Sequence, residues 1–317
     1  MARICSKCGT ENPDDVQFCT QCRASLTDLA ADVDSSELLS MLGDAHGVNY
    51  PLCVDLISGR MTQSGRVREI NEDSVLVIEC NRINNSVGLP IGVYAVADGM
   101  GGQAAGEVAS KAAIDTIAVR AQQEAVFPYL NSGTVPFTDP TVWMVETTNA
   151  ANRAIYRLRQ EMQNDMGTTL VWALVLEDVA YIANVGDSRA YLCRADGFRQ
   201  VTSDHSLVGE LMAGGQITSA QARTHQHRNV VTRVMGHAPQ VEVDVFVEPM
   251  EFGQRLLLCS DGVTGMLVDD ALWRGAMSSD NLSMACANLA AAANEAGGRD
   301  NITVILVELM AMQGSGC

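Results

Sequence analysis

Six acidic residues flank apolar runs with the pattern of β-strands: Glu72, Asp73, Asp98, Asp187, Asp261 and Asp300. Carboxylates gathered at strand ends would repel one another and lose hydration, which raises their pKa values or destabilises the fold. Bound cations resolve this conflict, and ligands that are all oxygen favour magnesium or manganese over zinc. Glycines beside the acids, such as Gly99 and Gly262, let the backbone approach an ion. An isolated Asp-Gly pair is more often an ordinary turn, so the prediction of a divalent-cation site depends on the whole set.

Four cysteines near the N-terminus have the spacing of a zinc site. Cys5 and Cys8 form one Cys-x-x-Cys pair, and Cys19 and Cys22 form a second pair after ten intervening residues. Four thiolates complete a tetrahedral shell that leaves no open position, so the predicted zinc is structural. A segment this short cannot bury an adequate apolar core without the metal. We predict a zinc ribbon over residues 1–26 with an unknown partner; two disulfides or four free thiols are the alternative.

Seven short motifs follow one another along the rest of the chain. They are GRVREINED (65–73), VADGMGG (96–102), MGTT (166–169), NVGDSRA (184–190), SDHS (203–206), LCSDG (258–262) and GRDNIT (298–303). In order and type they resemble the motifs of bacterial PPM phosphatases, the metal-dependent family of the protein phosphatase 2C type. The resemblance spans about residues 59–309. It implies hydrolysis of phosphoserine and phosphothreonine in proteins that are substrates of a serine/threonine kinase.

The resemblance also implies a role for each matching residue. Asp98 resembles the ligand that bridges two metal ions, with the Gly99 carbonyl on one ion and Asp261 and Asp300 on the other. Arg68 resembles the residue that clamps the substrate phosphate, a task suited to a planar guanidinium, although a surface salt bridge is the plainer interpretation. Three further acids would act close by, directly or through metal-bound water, or would hold a third ion with Asp261: Glu72, Asp73 and Asp187.

The chemistry implied by the resemblance uses two or three manganese or magnesium ions. A hydroxide that bridges two ions attacks phosphorus, while Arg68 and the ions neutralise the charge on the phosphoryl oxygens. Many eukaryotic relatives have a histidine where this chain has Met100, which has no proton to donate. A general acid contributes roughly 10²- to 10⁴-fold, so its absence should slow the reaction without abolishing it.

Apolar runs and helical periodicity predict the elements that must position these residues. Strands are predicted at 75–78, 93–97, 170–176, 180–185, 241–247, 255–259 and 302–306, and helices at 106–120, 141–162 and 282–293. Successive strands without an intervening helix favour antiparallel pairing. The resemblance implies an α+β fold, a four-layer α-β-β-α sandwich over residues 59–311 with the metals in a cleft at one edge.

Two segments outside the regular pattern are assigned separately. Residues 27–58 are predicted to be a linker, with a possible short helix between Ser35 and Gly43. Residues 203–237 resemble a mobile flap beside the site. There, His225 and His227 are metal-ligand candidates, although a solvated loop is the favoured interpretation.

Composition and charge exclude several function classes. Hydrophobic residues make up 47% and charged residues 19%, which suits a folded protein, and the net charge of −17 disfavours nucleic-acid and anionic-membrane partners. The sequence shows neither a secretory signal nor a membrane-length apolar run, so we expect a cytoplasmic protein. Two alternatives remain open: a pseudophosphatase that binds phosphoproteins as a scaffold, and a phosphatase for a small phosphoester.

Overall fold

The computed structural model describes residues 3–4, 11–12, 54–84, 87–102 and 105–311. The chain divides into two compact units, Met1–Tyr50 and Pro51–Cys317. In the first unit, strands β1 (Arg3–Ile4) and β2 (Glu11–Asn12) pair antiparallel. The four cysteines of the predicted zinc ribbon and the possible helix between Ser35 and Gly43 lie outside the described residues.

Two antiparallel sheets form the centre of the second unit. The strands of the smaller sheet are β3 (Val54–Gln63), β9 (Arg189–Cys193), β10 (Phe198–Gln200), β12 (Arg255–Cys259) and β13 (Ile302–Ala311). The strands of the larger sheet are β4 (Asp73–Asn84), β5 (Val87–Met100), β6 (Gly167–Thr168), β7 (Leu170–Leu176), β8 (Val179–Val185) and β11 (Asp244–Pro249). The strand orders are β10-β9-β12-β13-β3 and β11-β8-β7-β5-β4, with β6 paired to β5.

Helices cover the outer faces of both sheets or connect the strands. They are α1 (Ala105–Ala121), α2 (Phe127–Ser132), α3 (Pro140–Met162), α4 (Leu207–Ala213), α5 (Ser219–Thr224), α6 (Asp261–Thr264), α7 (Asp269–Ala276) and α8 (Leu282–Glu295), with a π-helical turn at Gln122–Val126. Among the described residues, none of the helices combines the length and the apolar character that a bilayer crossing requires.

The core consists of three apolar layers that alternate with the sheets. Val96 and Ile305 belong to the layer between the two sheets. Trp172 and Ile117 belong to the layer under α1 and α3, whereas Leu289 belongs to the layer under α7 and α8. Side chains of a strand point alternately to opposite faces, so the central strands supply two of these layers at once. This arrangement confirms the predicted four-layer α-β-β-α sandwich of antiparallel sheets.

The predicted elements occur close to their expected positions, with two informative differences. Strand β3 begins at Val54, before residue 59, where the sequence analysis placed the start of the domain; within it only Leu56 and Gly59 are buried, which weakens its apolar pattern. The predicted strand 241–247 begins only at Asp244. Val241 instead gives both of its backbone hydrogen-bonding groups to Asn149 of α3.

Gly59 lies where β3 packs closely against the start of α8. A methyl group at this position would overlap the backbone of Leu282 and Ser283 at the start of α8. We expect Gly59→Ala to lower the free energy of unfolding by about 2–3 kcal/mol, measured by urea denaturation, because the backbone cannot move aside cheaply. Gly197→Ala is the matched control, since nothing lies within 4 Å of its added carbon. Equal stabilities of the two variants would contradict this packing.

Candidate metal centre

The predicted site residues meet at a cleft of about 800 Å³ where strands of both sheets end. Seven of them line it: Arg68, Glu72, Asp98, Gly99, Asp187, Asp261 and Asp300. Met100 lies on the same wall. The fold therefore brings predicted residues together from the ends of five strands, β4, β5, β8, β12 and β13.

Strand pairing explains how residues far apart in sequence reach one place. Asp98 lies near the end of β5, and Asp261 follows β12 in the other sheet. Asp98 and Asp261 both line the cleft, where the charge of Asp261 acts on Asp98, so the two sheets meet at this point. Asp300 lies directly before β13, which pairs antiparallel with β12, so Asp300 and Asp261 are neighbours.

Two threonines fix the backbone of Asp98. Its amide N–H donates to Oγ1 of Thr169 at 3.2 Å. Its carbonyl accepts from the hydroxyl of Thr168 at 2.8 Å and from the amide of Thr169 at 2.9 Å. The MGTT motif had no predicted role; in the structure its two threonines hold the backbone of the central carboxylate in place.

Asp73 differs from the other predicted ligands because it lies behind the cleft surface. It pairs with Asp98 across β4 and β5, and its side chain is only 8% exposed. Its Oδ2 accepts a hydrogen bond from Oγ of Ser260 at 3.0 Å. Asp73 therefore adds negative charge beneath Asp98 without lining the open cavity.

Arg68 makes an ion pair inside the cleft. Its Nη2 lies 2.8 Å from Oδ2 of Asp300, and the two side chains are 51% and 37% exposed. Hydrogen bonding to Asp300 is the main reason that the pKa of Arg68 is raised. The salt bridge considered from the sequence is thus present, but its partner is a predicted metal ligand, which places the guanidinium at the site.

Asn301 holds the loop that carries Arg68. Its Oδ1 accepts from the amide of Glu72 at 2.8 Å, and its Nδ2 donates to the carbonyls of Ile70 at 2.9 Å and Ser64 at 3.2 Å. The side chain is 5% exposed, so these groups have no competing water. Asn301 had no predicted role, and its position directly after Asp300 in the GRDNIT motif was the signal that could have pointed to it.

A second clamp holds the cleft wall at residues 236–241. Asn152, fully buried on α3, accepts from the amide of Gly236 at 2.7 Å and donates to the carbonyl of Ala238 at 2.9 Å. Gly236 has a φ of +89°, and a methyl group there would overlap Ile155. The end of the predicted flap is therefore attached to α3.

The beginning and end of the flap meet in a charged network that sequence reasoning missed. Arg233 lines the cleft and donates to Asp244 at 2.7 Å and to Glu242 at 2.9 Å. Nε2 of His205 lies 3.1 Å from Asp244, and its Nδ1 accepts from the amide of Gly186 at 3.0 Å, directly before Asp187. The candidate ligands His225 and His227 are absent from the cleft lining in the described part of the chain.

Desolvation and mutual repulsion dominate the electrostatics of the cleft. Desolvation raises the pKa of Asp261 to about 6, with Asp300 as the next cause. It raises the pKa of Asp73 to about 7 and that of Asp187 to about 7, each with a contribution from the charge of Asp261. The pKa of Asp98 lies well above its ordinary value, because it is desolvated and faces these charges. Desolvated carboxylates that face other negative charges are stabilised when they take up a proton or bind a cation.

Comparison with known proteins identifies this arrangement. Residues 57–210 match the protein phosphatase 2C family model, and residues 4–22 match a zinc-ribbon domain. The serine/threonine phosphatase stp of Listeria innocua is 39% identical over 254 residues, which cover 80% of this chain and 95% of the relative. The chain belongs to the protein phosphatase 2C family. It is a metal-dependent protein serine/threonine phosphatase.

Solved structures agree with this assignment. Stp1 from Staphylococcus aureus has a TM-score of 0.71 and 34% identity, covering 83% of this chain and 98% of that one. The catalytic domain of PstP, in complex with two manganese ions, has a TM-score of 0.67 and 29% identity, covering 81% and 99%. The predicted fold, enzyme class and family are thereby confirmed for this phosphatase.

The cleft fits divalent cations in its chemistry. Its acidic donors are all oxygens, and Oδ1 of Asp73 and Oδ1 of Asp261 are buried without a hydrogen-bond partner in the described chain. An unpartnered buried carboxylate oxygen is costly unless an ion satisfies it. No three His, Cys, Asp or Glu side chains of the described ranges form a closed ligand set, and Asp300 is neutralised by Arg68 instead. The metal chemistry therefore rests on the unpartnered oxygens and the donor type.

The raised carboxylate pKa values predict how pH acts on the metal-free protein. Asp73, Asp187 and Asp261 titrate near pH 6–7 when folded and near 3.8 when unfolded. Between these values the folded state binds more protons, so the free energy of unfolding falls as pH rises from about 4 to about 7. We expect a loss on the order of 3 kcal/mol in chelator, measured by urea denaturation, and recovery on adding manganese.

Asp73→Asn is the variant that isolates this effect, because it removes one buried charge and keeps an acceptor for Ser260. Its stability in chelator should depend less on pH than that of the wild type. A wild-type protein whose stability rises over the same interval would show that the carboxylates do not repel one another as described.

Proposed function

We propose that the acids around Asp98 hold the divalent ions and that Arg68 binds the phosphate of a phosphoserine or phosphothreonine side chain. The observation that supports this most directly is that Asp98 and Asp261, which come from two different sheets, line one cleft that also contains Arg68. Without bound cations, the acids of the cleft would repel a phosphorylated substrate. The net charge of −17 on the whole chain would add to that repulsion.

The ligand assignment follows the donor types of the cleft. Asp98, the carbonyl of Gly99, Asp261 and Asp300 would hold two ions, manganese or magnesium, and Asp187 with Asp261 would hold a third. Glu72 on the cleft wall and Asp73 on the buried side would interact with these ions directly or through metal-bound water. When bound, the ions supply Lewis-acid chemistry that stabilises charge on the phosphoryl oxygens and makes hydroxide available near neutral pH.

Arg68 would exchange its partner when the substrate binds. Its side chain is half exposed, and within the described part of the chain its ion pair is to Asp300, so it can turn without leaving a buried charge. Two of its N–H groups can then donate to two phosphoryl oxygens, where they stabilise the charge that develops in the transition state. Met100 lines the same cleft but has no proton to donate, so the leaving oxygen takes its proton from another group or from water.

Asp98→Asn tests the metal mechanism. The purified protein should hydrolyse a phosphothreonine peptide with manganese and lose this activity in chelator. The variant should lose on the order of 10²-fold or more in kcat, because one negative donor of the ions is gone. Asp196→Asn, an exposed acid, is the matched control. Turnover in chelator would contradict a metal-dependent reaction.

The same assay separates the alternatives considered from the sequence. A pseudophosphatase would bind the phosphothreonine peptide without releasing phosphate. A small-molecule phosphatase would release phosphate faster from a small ester than from any phosphopeptide, compared as kcat/KM. The complete set of acids in the cleft leads us to expect peptide turnover.

Arg68→Ala and Arg68→Lys test the phosphate clamp. We expect the alanine variant to lose about 10²-fold in kcat/KM, and the lysine variant to recover part of it, since lysine keeps the charge without the bidentate geometry. Arg60→Ala, exposed on β3, is the control. If Arg68 served only as a salt bridge, all three variants would keep nearly full kcat/KM.

We further propose that the N-terminal segment binds one structural zinc ion through Cys5, Cys8, Cys19 and Cys22. The match of residues 4–22 to a zinc-ribbon domain supports this. The ribbon would occupy residues 1–26 and hold a partner that is still to be identified, separated by a linker from the catalytic domain. The phosphorylated substrates of a serine/threonine kinase, in the cytoplasm, are the partners that suit this assignment.

Elemental analysis tests the zinc site. The purified chain should contain one zinc ion, and Cys5→Ser should lose it, since three thiolates hold zinc much less tightly. Phosphatase activity with manganese should remain, because the ribbon takes no part in the reaction. A zinc-free chain with oxidised cysteines would exclude the ribbon.

A further inference from the structure

A second groove of about 440 Å³ adjoins the catalytic cleft. Its walls come from α1, α3 and the segment at Gln240 and Val241. Both of these residues also line the cleft. A polypeptide that places its phosphorylated side chain in the cleft therefore has an adjoining surface for its flanking residues.

The wall shared by the two cavities is held in place. Oδ1 of Asn149 accepts from the amide of Val241 at 3.0 Å, and Nδ2 donates to its carbonyl at 3.1 Å. Asn152, one turn along α3, holds Gly236 and Ala238 in the same way. Because α3 anchors this wall, the groove keeps its position relative to the cleft.

Two arginines line the groove, and the first of them, Arg120, is held by an ion pair. Arg120 donates through Nη2 to Oε2 of Glu124 at 2.7 Å, and the same oxygen accepts from Trp143 at 2.8 Å. The Nε of Arg120 is buried and has no hydrogen-bond partner within the described residues, so its guanidinium is incompletely paired. Glu124 thus fixes the side chain in position while sharing its own charge with a second donor.

Arg153 is the arginine of the groove whose charge is not balanced by an ion pair among the described residues. It is exposed on α3 and lines the groove, and among the described residues it forms no ion pair within 4.0 Å. The one acid in the lining is Glu146, on the same helix. Arg120 is already paired with Glu124, so Arg153 is the guanidinium that remains open to an anionic ligand, on a chain whose net charge is −17.

We propose that this groove binds an anionic side chain of the substrate polypeptide, an acidic residue or a second phosphorylated residue that flanks the one in the cleft. This proposal rests on the proposed function, since it assigns part of the same substrate. Guanidinium groups pair with carboxylate and phosphate oxygens through two parallel hydrogen bonds. Arg153 in the groove favours acidic flanking sequence on a chain whose net charge of −17 otherwise disfavours it.

A positional scan of phosphothreonine peptides tests the groove. One glutamate, or in a second arm one additional phosphothreonine, replaces alanine at each position up to about six residues on either side, a reach of about 20 Å in an extended chain. We expect kcat/KM to rise about threefold for glutamate at one or two neighbouring positions and more for phosphothreonine, since an exposed ion pair contributes up to about 1 kcal/mol. The two arms distinguish a carboxylate from a phosphate as the preferred ligand.

Arg153→Ala should remove this preference and leave hydrolysis of p-nitrophenyl phosphate unchanged. Arg157→Ala, one turn further along α3, exposed and outside the groove, is the matched control and should keep the preference. Glu146→Gln should increase the preference, because it removes the opposing charge. Binding of the same peptides to the Asp98→Asn protein repeats the comparison without turnover.

Two results would contradict the proposal that the groove binds an anionic side chain. One is a scan in which no position of glutamate or phosphothreonine changes kcat/KM or binding; the other is equal loss of the preference in Arg153→Ala and Arg157→Ala. Failure of the proposed function looks different, because wild-type protein would then release no phosphate from any peptide even with manganese, while the binding comparison would still report on the groove.

Discussion

The mutual repulsion of desolvated carboxylates is the constraint on which the rest of this structure depends. Asp98, Asp187 and Asp261 lie in one cleft, Asp73 lies beneath it, and the pKa of each is raised by the loss of water and by its neighbours. A fold gains nothing from such a cluster unless a cation or a proton neutralises it. The cluster therefore marks a place where stability is lowered for the sake of chemistry.

The surrounding fold opposes this repulsion with hydrogen bonds that leave little freedom. Thr168 and Thr169 fix the backbone of Asp98, Ser260 donates to Asp73, and Asn301 fastens the loop of Arg68 to the segment before β13. All four of these polar side chains are buried. Buried hydrogen bonds of this kind lose much of their value when one partner is removed, so the site is organised by polar residues outside the ligand set.

The sequence predicted the fold class and most of the cleft because both depend on strong local signals. Apolar runs gave β7, β8 and β12 nearly at their observed bounds and the middle of the longer β5, and acids at the ends of these runs gave Asp98, Asp187 and Asp261. The clamps made by Asn149, Asn152 and Asn301, and the network of Arg233 with His205, were missed. Their partners are backbone groups or charges far along the chain, and an isolated polar residue does not reveal a partner chosen by tertiary packing. Strand β3 was missed for a similar reason, since few of its side chains are buried.

The pairing of β3 with β13 joins the first and last strands of the domain, from Val54 with Ala311 to Gln63 with Ile302. Glu72 and Asn301, whose hydrogen bond fastens the Arg68 loop, are 229 positions apart in sequence. During synthesis on the ribosome, the edge of the smaller sheet and the loop beside it must wait until nearly the whole domain has been made. Until β13 has been made, a nascent chain therefore carries Asp73, Asp98 and Asp187 without Asp300 and without the completed cleft.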